Sequence, residues 1–362
     1  MQSVPPGSTI GILGGGQLGR MTALAAAELG YRCHIYCPDA GSPAAQVAAE
    51  ATVAAYDDTA ALARFAAAVD VVTFEFENVP AATVATLAAS VPVRPGVAVL
   101  RITQDRLSEK DFVRAAGAGT APYAAISSAA DIAAAFEKVG PRGVLKTRRF
   151  GYDGKGQRMV GGMAEIVAAW RELGEAACIL EGFVDFAGEI SVLVARGLDG
   201  TIAAYIPVEN RHRHHILDRT IAPARIAPAI ALEADRVARH IAERLGVIGL
   251  LAVEMFVTRD GGVLVNELAP RVHNSGHWTI EACTTSQFEQ LVRAVCGLPL
   301  GSPERHSNAV MRNLIGDDVK RWPALLADPA NKLHLYGKAE ARPGRKMGHV
   351  TRLYPLGTLP EG

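Results

Sequence analysis

The stretch from Leu250 to Pro270, LLAVEMFVTRDGGVLVNELAP, constrains the chain more than any other. Two apolar runs flank Asp260-Gly261, a dipeptide suited to a two-residue hairpin turn because it accepts positive φ. Closing the hairpin there pairs Arg259 with Gly262, and counting outward sets Glu254 opposite Glu267. Directly opposed side chains have Cβ atoms about 4.5–5.5 Å apart, and like charges there repel. The apolar flanks point to burial rather than to a solvated face, so the pair calls for a cation. Hard oxygen donors suit Mg²⁺, which takes one or two carboxylates and completes its shell with water and substrate phosphates. Asn266 adds an oxygen, although alternation turns it to the other face unless the strand bulges.

At the start of the chain, GILGGGQLGR (residues 11–20) reads as strand, tight turn and helix N-terminus, with Gly14, Gly16 and Gly19 in G-x-G-x-x-G spacing. Backbone N–H groups in such a turn approach an anion closely, and a phosphate is the natural guest. Asp39 closes the next apolar run, YRCHIYCPD, about where a dehydrogenase would hold a ribose diol. The runs TIGILG, YRCHIYC, ATVAAY, VDVVTFEF and VPVRP alternate with Ala-rich helical windows, the βαβ rhythm of an open parallel sheet. FEFENVP places Glu75, Glu77 and Asn78 on the same rim as the glycine turn.

A different pattern follows. QDRLSEKDFVRAAG predicts a helix with apolar Leu107, Phe112 and Val113. GVLKTRRFGYDGKGQRMV predicts strand, glycine-rich tip, strand. CILEGFV, EISVLVARG and TIAAYIPVEN are further strands, and EADRVARHIAERLG is an amphipathic helix. Strands and helices in blocks mark α+β architecture. After about Asn308 the signals weaken, and RPGRKMGH carries a basic turn.

With 362 residues, two or three domains are expected. Thirty-seven basic residues balance thirty-seven acidic ones, so no overall field draws the protein to nucleic acid or an anionic membrane. No apolar run is long enough to span a membrane and no signal segment opens the chain, which is therefore expected to be cytoplasmic. Five cysteines without a C-x-x-C pair read as buried free thiols.

Three constellations carry chemistry. The first is the carboxylate pair. The second is Lys146 before the glycine-rich tip with Gly151, Gly154 and Gly156, which suits a lid closing on a polyphosphate. It is not a Walker loop, which needs G-x-x-x-x-G-K-[ST]. The third is APRVHNSGHWT, a loop that follows the carboxylate strand and gathers Arg271, His273, Asn274, Ser275 and His277. A histidine there suits a base or a ligand. ENRHRHH, with His212, His214 and His215, reads instead as a solvated loop with one nucleotide contact.

Together, GGGQLGR, FEFENVP, QDRLSEK, GYDGKGQ, EGFVDFAGE, VNELAPRVHNSGHWT and RPGRKMGH resemble the ATP-grasp superfamily, and within it most closely the 5-(carboxyamino)imidazole ribonucleotide synthases of purine biosynthesis. The resemblance spans nearly the whole chain in order, and Phe150, where a small residue is expected, departs from it. It implies a mixed α/β and α+β, ATP-grasp fold. A Rossmann-like pre-ATP-grasp domain would span 1–102, an ATP-grasp domain 103–300 with a lid at about 125–190, and a small C-terminal domain 301–362.

The resemblance also implies ATP and Mg²⁺, with bicarbonate and aminoimidazole ribonucleotide as partners, and a homodimer. Arg106 and Lys146 would contact phosphates, and Gly151, Tyr152, Asp153, Gly154, Lys155, Gly156 and Gln157 would form the lid. Glu181, Gly182, Phe183 and Val184 would supply the adenine edge and Glu189 the ribose contact. His212 and Asn266 would complete the nucleotide site, and Glu254 and Glu267 would hold the metal. Gly16, Gln17, Leu18, Glu75, Arg271, His273, Asn274, Ser275, Arg345 and Lys346 would face the second substrate, joined by Tyr152, Asp153 and Lys155. Either His273 or Asp153 accepts the amine proton. A dehydrogenase using the first glycine turn, a nucleotide sensor without catalysis, and an ATP-grasp ligase with another acceptor are the rival readings.

Overall fold

The structure is a computed structural model and describes residues 3–151 and 154–358. The N-terminal part runs β1 (Thr9–Leu13), α1 (Gln17–Glu28), β2 (Arg32–Cys37), β3 (Glu50–Val53), α2 (Thr59–Ala67), β4 (Val71–Phe74) and α3 (Ala81–Ala88). Its strands form a parallel sheet in the order β3-β2-β1-β4. Ile10, Ile12, Ile35 and Val71 are buried on both central strands and their neighbours, as parallel strands covered on two faces must be. VPVRP contributes only a parallel bridge from Val93 to Val72. The C-terminal ends of β1 and β4 bring the glycine turn beside Glu75.

Two helices follow, α4 (Val97–Thr103) and α5 (Arg106–Ala115). Asp105 caps α5 by accepting from the N–H groups of Leu107 and Ser108. Of the apolar residues of α5, Val113 is fully buried and Phe112 partly so, but Glu109 and Lys110 are buried beside Val113. Tertiary ion pairing has overridden the apolar pattern.

The next layer comprises β5 (Tyr123–Ile126), α6 (Asp131–Val139), β6 (Gly143–Thr147), β7 (Gln157–Val160), α7 (Met163–Glu172) and β8 (Cys178–Gly182). Its sheet order is β5-β8-β6-β7, and Leu145, Ile166, Trp170 and Leu180 pack between sheet and helices. β6 and β7 form the expected hairpin, pairing Lys146 with Gln157.

The remaining strands are β9 (Phe186–Arg196), β10 (Ile202–Ala204), β11 (Val208–Arg213), β12 (Ile216–Ala222), β13 (Gly249–Thr258), β14 (Val263–Ala269), β15 (Asn308–Ile315), β16 (Asn331–Leu335) and β17 (Lys346–Tyr354). Between them lie α8 (Pro228–Leu245), α9 (Thr279–Ala282), α10 (Gln287–Cys296) and α11 (Trp322–Ala327). The sheet order is β14-β13-β9-β11-β12-β15-β17-β16, with β10 beside β9. α8 starts with Pro228 in its first turn, ends at left-handed Gly246 and lays Ala234, Val237 and Ile241 on Val192, Leu251 and Val253. The weakly patterned region after Asn308 thus extends this sheet. Its signal is weak because buried β17 positions carry His349 and Thr351.

The β13–β14 hairpin pairs Glu254 with Glu267, but not by the register counted from the sequence. The turn is wider: Thr258 N–H donates to Gly262 O, with Gly261 at φ 87°, the three-residue loop in which glycine takes the left-handed position. Val257 therefore pairs with Val263. The lost step is recovered at Asn266, an extra residue between the pairs Met255–Val265 and Glu254–Glu267.

Candidate active site

All these layers meet at a cleft of about 1170 Å³. On its N-terminal rim lie Gly16, Gln17, Leu18 and Glu75. Gly16 N–H donates to Oε1 of Glu75, and Gly19 N–H donates to Oε2 at 2.7 Å. A Cβ on Gly14 would come 2.4 Å from Cγ of Glu75, so this turn needs glycine to admit the protein's own carboxylate. Glu75 takes the Gly16 and Gly19 N–H groups that the sequence offered to a phosphate. Burial pushes the Glu75 carboxyl up, opposed by the two N–H groups and by the Arg271 and Lys338 charges. Asp39 is exposed and accepts from Gly41 N–H at 3.0 Å, closing its own turn. A dinucleotide pyrophosphate would have to evict a buried carboxylate, which sets the dehydrogenase reading aside.

At the centre, the opposed carboxylates are divided between two partners. Arg106 Nη1 is 3.0 Å from Oε2 of Glu267, and His273 Nε2 is 3.0 Å from Oε1 of Glu254. Burial pushes the Glu267 carboxyl up, but Arg106 outweighs burial and holds it well below the usual range. The bulge places Asn266 on the cleft wall beside Glu267, and its Oδ1 is buried without a hydrogen-bond partner. Two carboxylates and an unpaired amide oxygen fit a hard divalent cation. Among the described residues, no group of three His, Cys, Asp or Glu side chains is arranged to hold a metal by itself.

Lys146 donates to Oε2 of Glu181 at 2.9 Å, and Lys110 lies 3.7 Å from the same oxygen. Burial pushes the Glu181 carboxyl up, yet Lys146 and then Lys110 prevail and hold it at about 2. Arg106 also donates to Gly151 O at 3.4 Å, tying α5 to the base of the glycine-rich tip. Gly151, Gly154, Lys155 and Gln157 line the cleft, whereas Gly156 stands behind it and accepts from Thr147 N–H. Tyr152 and Asp153 lie outside the described residues. Phe150, two-thirds exposed, has φ 65°, a left-handed conformation that disfavours so bulky a side chain. Gly182, Phe183 and Val184 form one edge. Nearby, Phe186 and Phe256 stack at 4.7 Å with an 11° tilt, a flat apolar wall that sequence reasoning missed.

Glu189 and His212 meet at 3.1 Å on this side, and that hydrogen bond raises the His212 pKa against the opposing effect of burial. His214 and His215 turn β11 into β12 with φ of 54° and 63°. His215 packs against the tip: a Cβ on Gly154 would lie 2.7 Å from its own Cβ.

The loop after β14 is held from behind. Gln287 accepts from His273 N–H at 2.9 Å, and its amide donates to His273 O at 2.8 Å and His277 Nδ1 at 3.0 Å. Arg271, His273 and Asn274 face the cleft, with Arg271 2.6 Å from Glu77. Ser275 does not reach it: fully buried, its hydroxyl joins His273 Nδ1 at 2.8 Å and Ser191 at 2.7 Å. His277 is also buried, packed on Phe288 and His349, and burial keeps it neutral. Arg345 and Lys346 also line the cleft. Lys338 and Arg342 join them there. Neither was singled out from the sequence, although Arg342 opens the RPGRKMGH turn and Lys338 stands four residues before it.

Three family models match in series: the ribonucleotide synthetase preATP-grasp domain over residues 7–104, the ATP-grasp domain over 111–288, and the phosphoribosylaminoimidazole carboxylase C-terminal domain over 309–355. The N5-carboxyaminoimidazole ribonucleotide synthase of Brucella melitensis is 52% identical over 355 residues, covering 98% of each chain. The chain belongs to the N5-carboxyaminoimidazole ribonucleotide synthase family. A solved ADP complex of an N5-carboxyaminoimidazole ribonucleotide synthetase superposes with a TM-score of 0.94 at 43% identity, covering 98% of this chain and 94% of that one. The Aspergillus clavatus N5-carboxyaminoimidazole synthase, solved with ADP and 5-aminoimidazole ribonucleotide, has a TM-score of 0.90 at 31% identity, covering 96% of this chain and 94% of that one. The synthase family's three-part order accounts for the parallel sheet, the hairpin layer and the C-terminal strands met above.

Proposed function

We infer that the chain is an ATP-dependent carbon–nitrogen ligase that carboxylates 5-aminoimidazole ribonucleotide with bicarbonate, giving 5-(carboxyamino)imidazole ribonucleotide, ADP and phosphate in purine biosynthesis. The observation that carries this reading is a single cleft lined both by Lys146, Glu181, Glu189 and Glu267, which we assign to the nucleotide, and by the basic pair Arg345 and Lys346, which we assign to the acceptor phosphate. A dehydrogenase or a sensor leaves one of those ends without a task.

Bicarbonate is a weak electrophile, and transfer of the γ-phosphoryl group of ATP to it gives carboxyphosphate. The exocyclic amine then attacks the carbonyl carbon of this anhydride, or of CO₂ released from it, and phosphate leaves. Lys146 and Arg106 stabilise charge on the transferring group, a task of positioning and electrostatics. Mg²⁺, held by Glu254 and Glu267 with Asn266 adding an oxygen, would supply further positive charge against the phosphates. The glycine-rich tip closes over the nucleotide and excludes water from the labile anhydride. Phe183, Val184 and the Phe186–Phe256 wall cover the base, and the Glu189–His212 pair meets the ribose. His273, oriented by Ser275 and Gln287, takes the amine proton, a task Asp153 shares as the alternative. Gly16 to Leu18, Glu75, Arg271 and Asn274 line the acceptor's path, with Arg345, Lys346 and Lys338 at its phosphate.

On this reading residues 1–102, 103–300 and 301–362 act as acceptor, nucleotide and closing domains, with a lid at about 125–190. The enzyme works in the cytoplasm as a homodimer. No helix among the described residues is long and apolar enough to cross a membrane. ADP release measured with ATP and bicarbonate, with and without aminoimidazole ribonucleotide, is the test. Strong stimulation by the ribonucleotide is expected. Stimulation by formate and another acceptor instead, or no ADP release at all, overturns the assignment.

A further inference from the structure

Asn266 and Glu267 are consecutive on β14, and both reach the cleft wall. Successive residues of a regular strand face opposite sides, so this depends on the bulge. A bulge leaves backbone groups out of the sheet ladder, and such groups must be satisfied elsewhere when buried. Here they are satisfied from one helix. Lys110 Nζ donates to Asn266 O at 2.5 Å and to Val265 O at 3.4 Å, while the neighbouring Glu109 accepts from Leu268 N–H at 2.6 Å. Two adjacent residues of α5 thus bracket the extra residue on β14 from both sides.

We propose that Lys110 is a positioning residue for the nucleotide–metal site, its ammonium holding the β14 bulge that turns Asn266 and Glu267 together toward the cleft. Lys110 is 1% exposed and does not line the cleft, so it acts through the strand. A lysine is kept this deep only by partners, and those partners span two layers: the bulge carbonyls on β14 and, 3.7 Å away, Glu181 on β8. One ammonium therefore fixes the distance between the strand carrying the carboxylate of the metal pair and the strand at the nucleotide edge.

The inference rests on reading the cleft as a Mg–ATP site, and the test separates the two. Lys110→Met keeps the length and apolar stem and removes the donor. Removing a group behind a metal ligand typically costs about 10–100-fold in metal affinity. In the full-length protein, at a temperature where circular dichroism shows the variant folded, Mn²⁺ affinity in the presence of ADP, read by electron paramagnetic resonance, is expected to fall by about that factor. The Mg²⁺ concentration for half-maximal ATP turnover should rise with it, and KM for aminoimidazole ribonucleotide should stay within about twofold, because the acceptor groups lie elsewhere. Lys110→Gln, which retains one N–H for the Asn266 carbonyl, should show a smaller loss and serves if the Met variant does not fold. Wild-type protein without Mn–ADP binding or ATP turnover removes the functional reading. Wild-type protein with both, beside a folded variant of unchanged Mn²⁺ affinity and Mg²⁺ dependence, overturns the role of Lys110, even if that variant melts earlier.

Discussion

Nε2 of His273 lies 3.0 Å from Oε1 of Glu254, so a single polar contact joins the loop after β14 to the strand at the centre of the cleft. Across the hairpin, Glu267 is claimed by a different partner, the Arg106 guanidinium, at 3.0 Å. The two opposed carboxylates are therefore kept apart in charge, each with a partner that a bound divalent cation would have to share.

Glu267→Gln should lower ATP turnover by at least about 100-fold, the scale on which a charge stabilising a transferring group acts. ADP release at saturating Mg–ATP reads it. Full activity in this variant would remove the metal assignment.

The carboxylate of Glu75 in the glycine turn predicts discrimination between nucleotides. Titration calorimetry should show binding of Mg–ATP and no binding of NAD⁺ at micromolar concentrations. The reverse pattern would restore the dehydrogenase reading.

Arg345 and Lys346 line the same cleft and are proposed to meet the acceptor phosphate rather than the nucleotide. Replacing both with Ala should raise KM for aminoimidazole ribonucleotide tenfold or more, since each charge-assisted hydrogen bond contributes about 1.5–3 kcal/mol. KM for ATP should hardly move. Steady-state kinetics with each substrate varied in turn decides the matter, and equal losses for both would exclude a phosphate-specific role.

Glu181 gives a prediction about acid stability. Its pKa falls from 4.5 to about 2 on folding because Lys146 and Lys110 outweigh burial. A carboxyl depressed on folding stabilises fully above its unfolded pKa and loses that contribution as the pH falls toward the folded one. The shift corresponds to roughly 3 kcal/mol. The melting-temperature gap between wild type and Glu181→Gln should thus be constant above about pH 5.5 and shrink below about pH 4.5. A gap independent of pH would show that Glu181 is not held ionised by the two lysines.

The parallel sheet, the β6–β7 hairpin and the Glu254–Glu267 facing pair were legible because each follows from periodicity or turn chemistry within about twenty residues. The facing pair came out right although two local details differ, a wider turn and a bulge, which cancel. What stayed hidden depends on partners far apart in the chain. Glu75 meets Gly16 from 59 residues away, and Lys110 meets Asn266 from 156 residues away. A lysine in QDRLSEK looks like an ordinary solvated helix charge until β14 is packed on it. Ser275 and His277 belonged to a polar loop with catalytic composition, yet burial turned them into supports for His273. Phe186 and Phe256 went unnoticed because a flat apolar wall leaves no polar mark in a sequence.

β17 lies between β15 and β16, pairing with both. A polypeptide made from its N-terminus exposes the parallel sheet and most of the large sheet long before β17 has been synthesised. Until then the inner edges of β15 and β16 have no neighbour, and an unpaired edge invites the wrong strand. The ribosome must release nearly the whole chain before this wall of the cleft is complete, so a nascent chain stalled before Lys346 would carry most of the cleft lining without the basic residue that β17 adds to it.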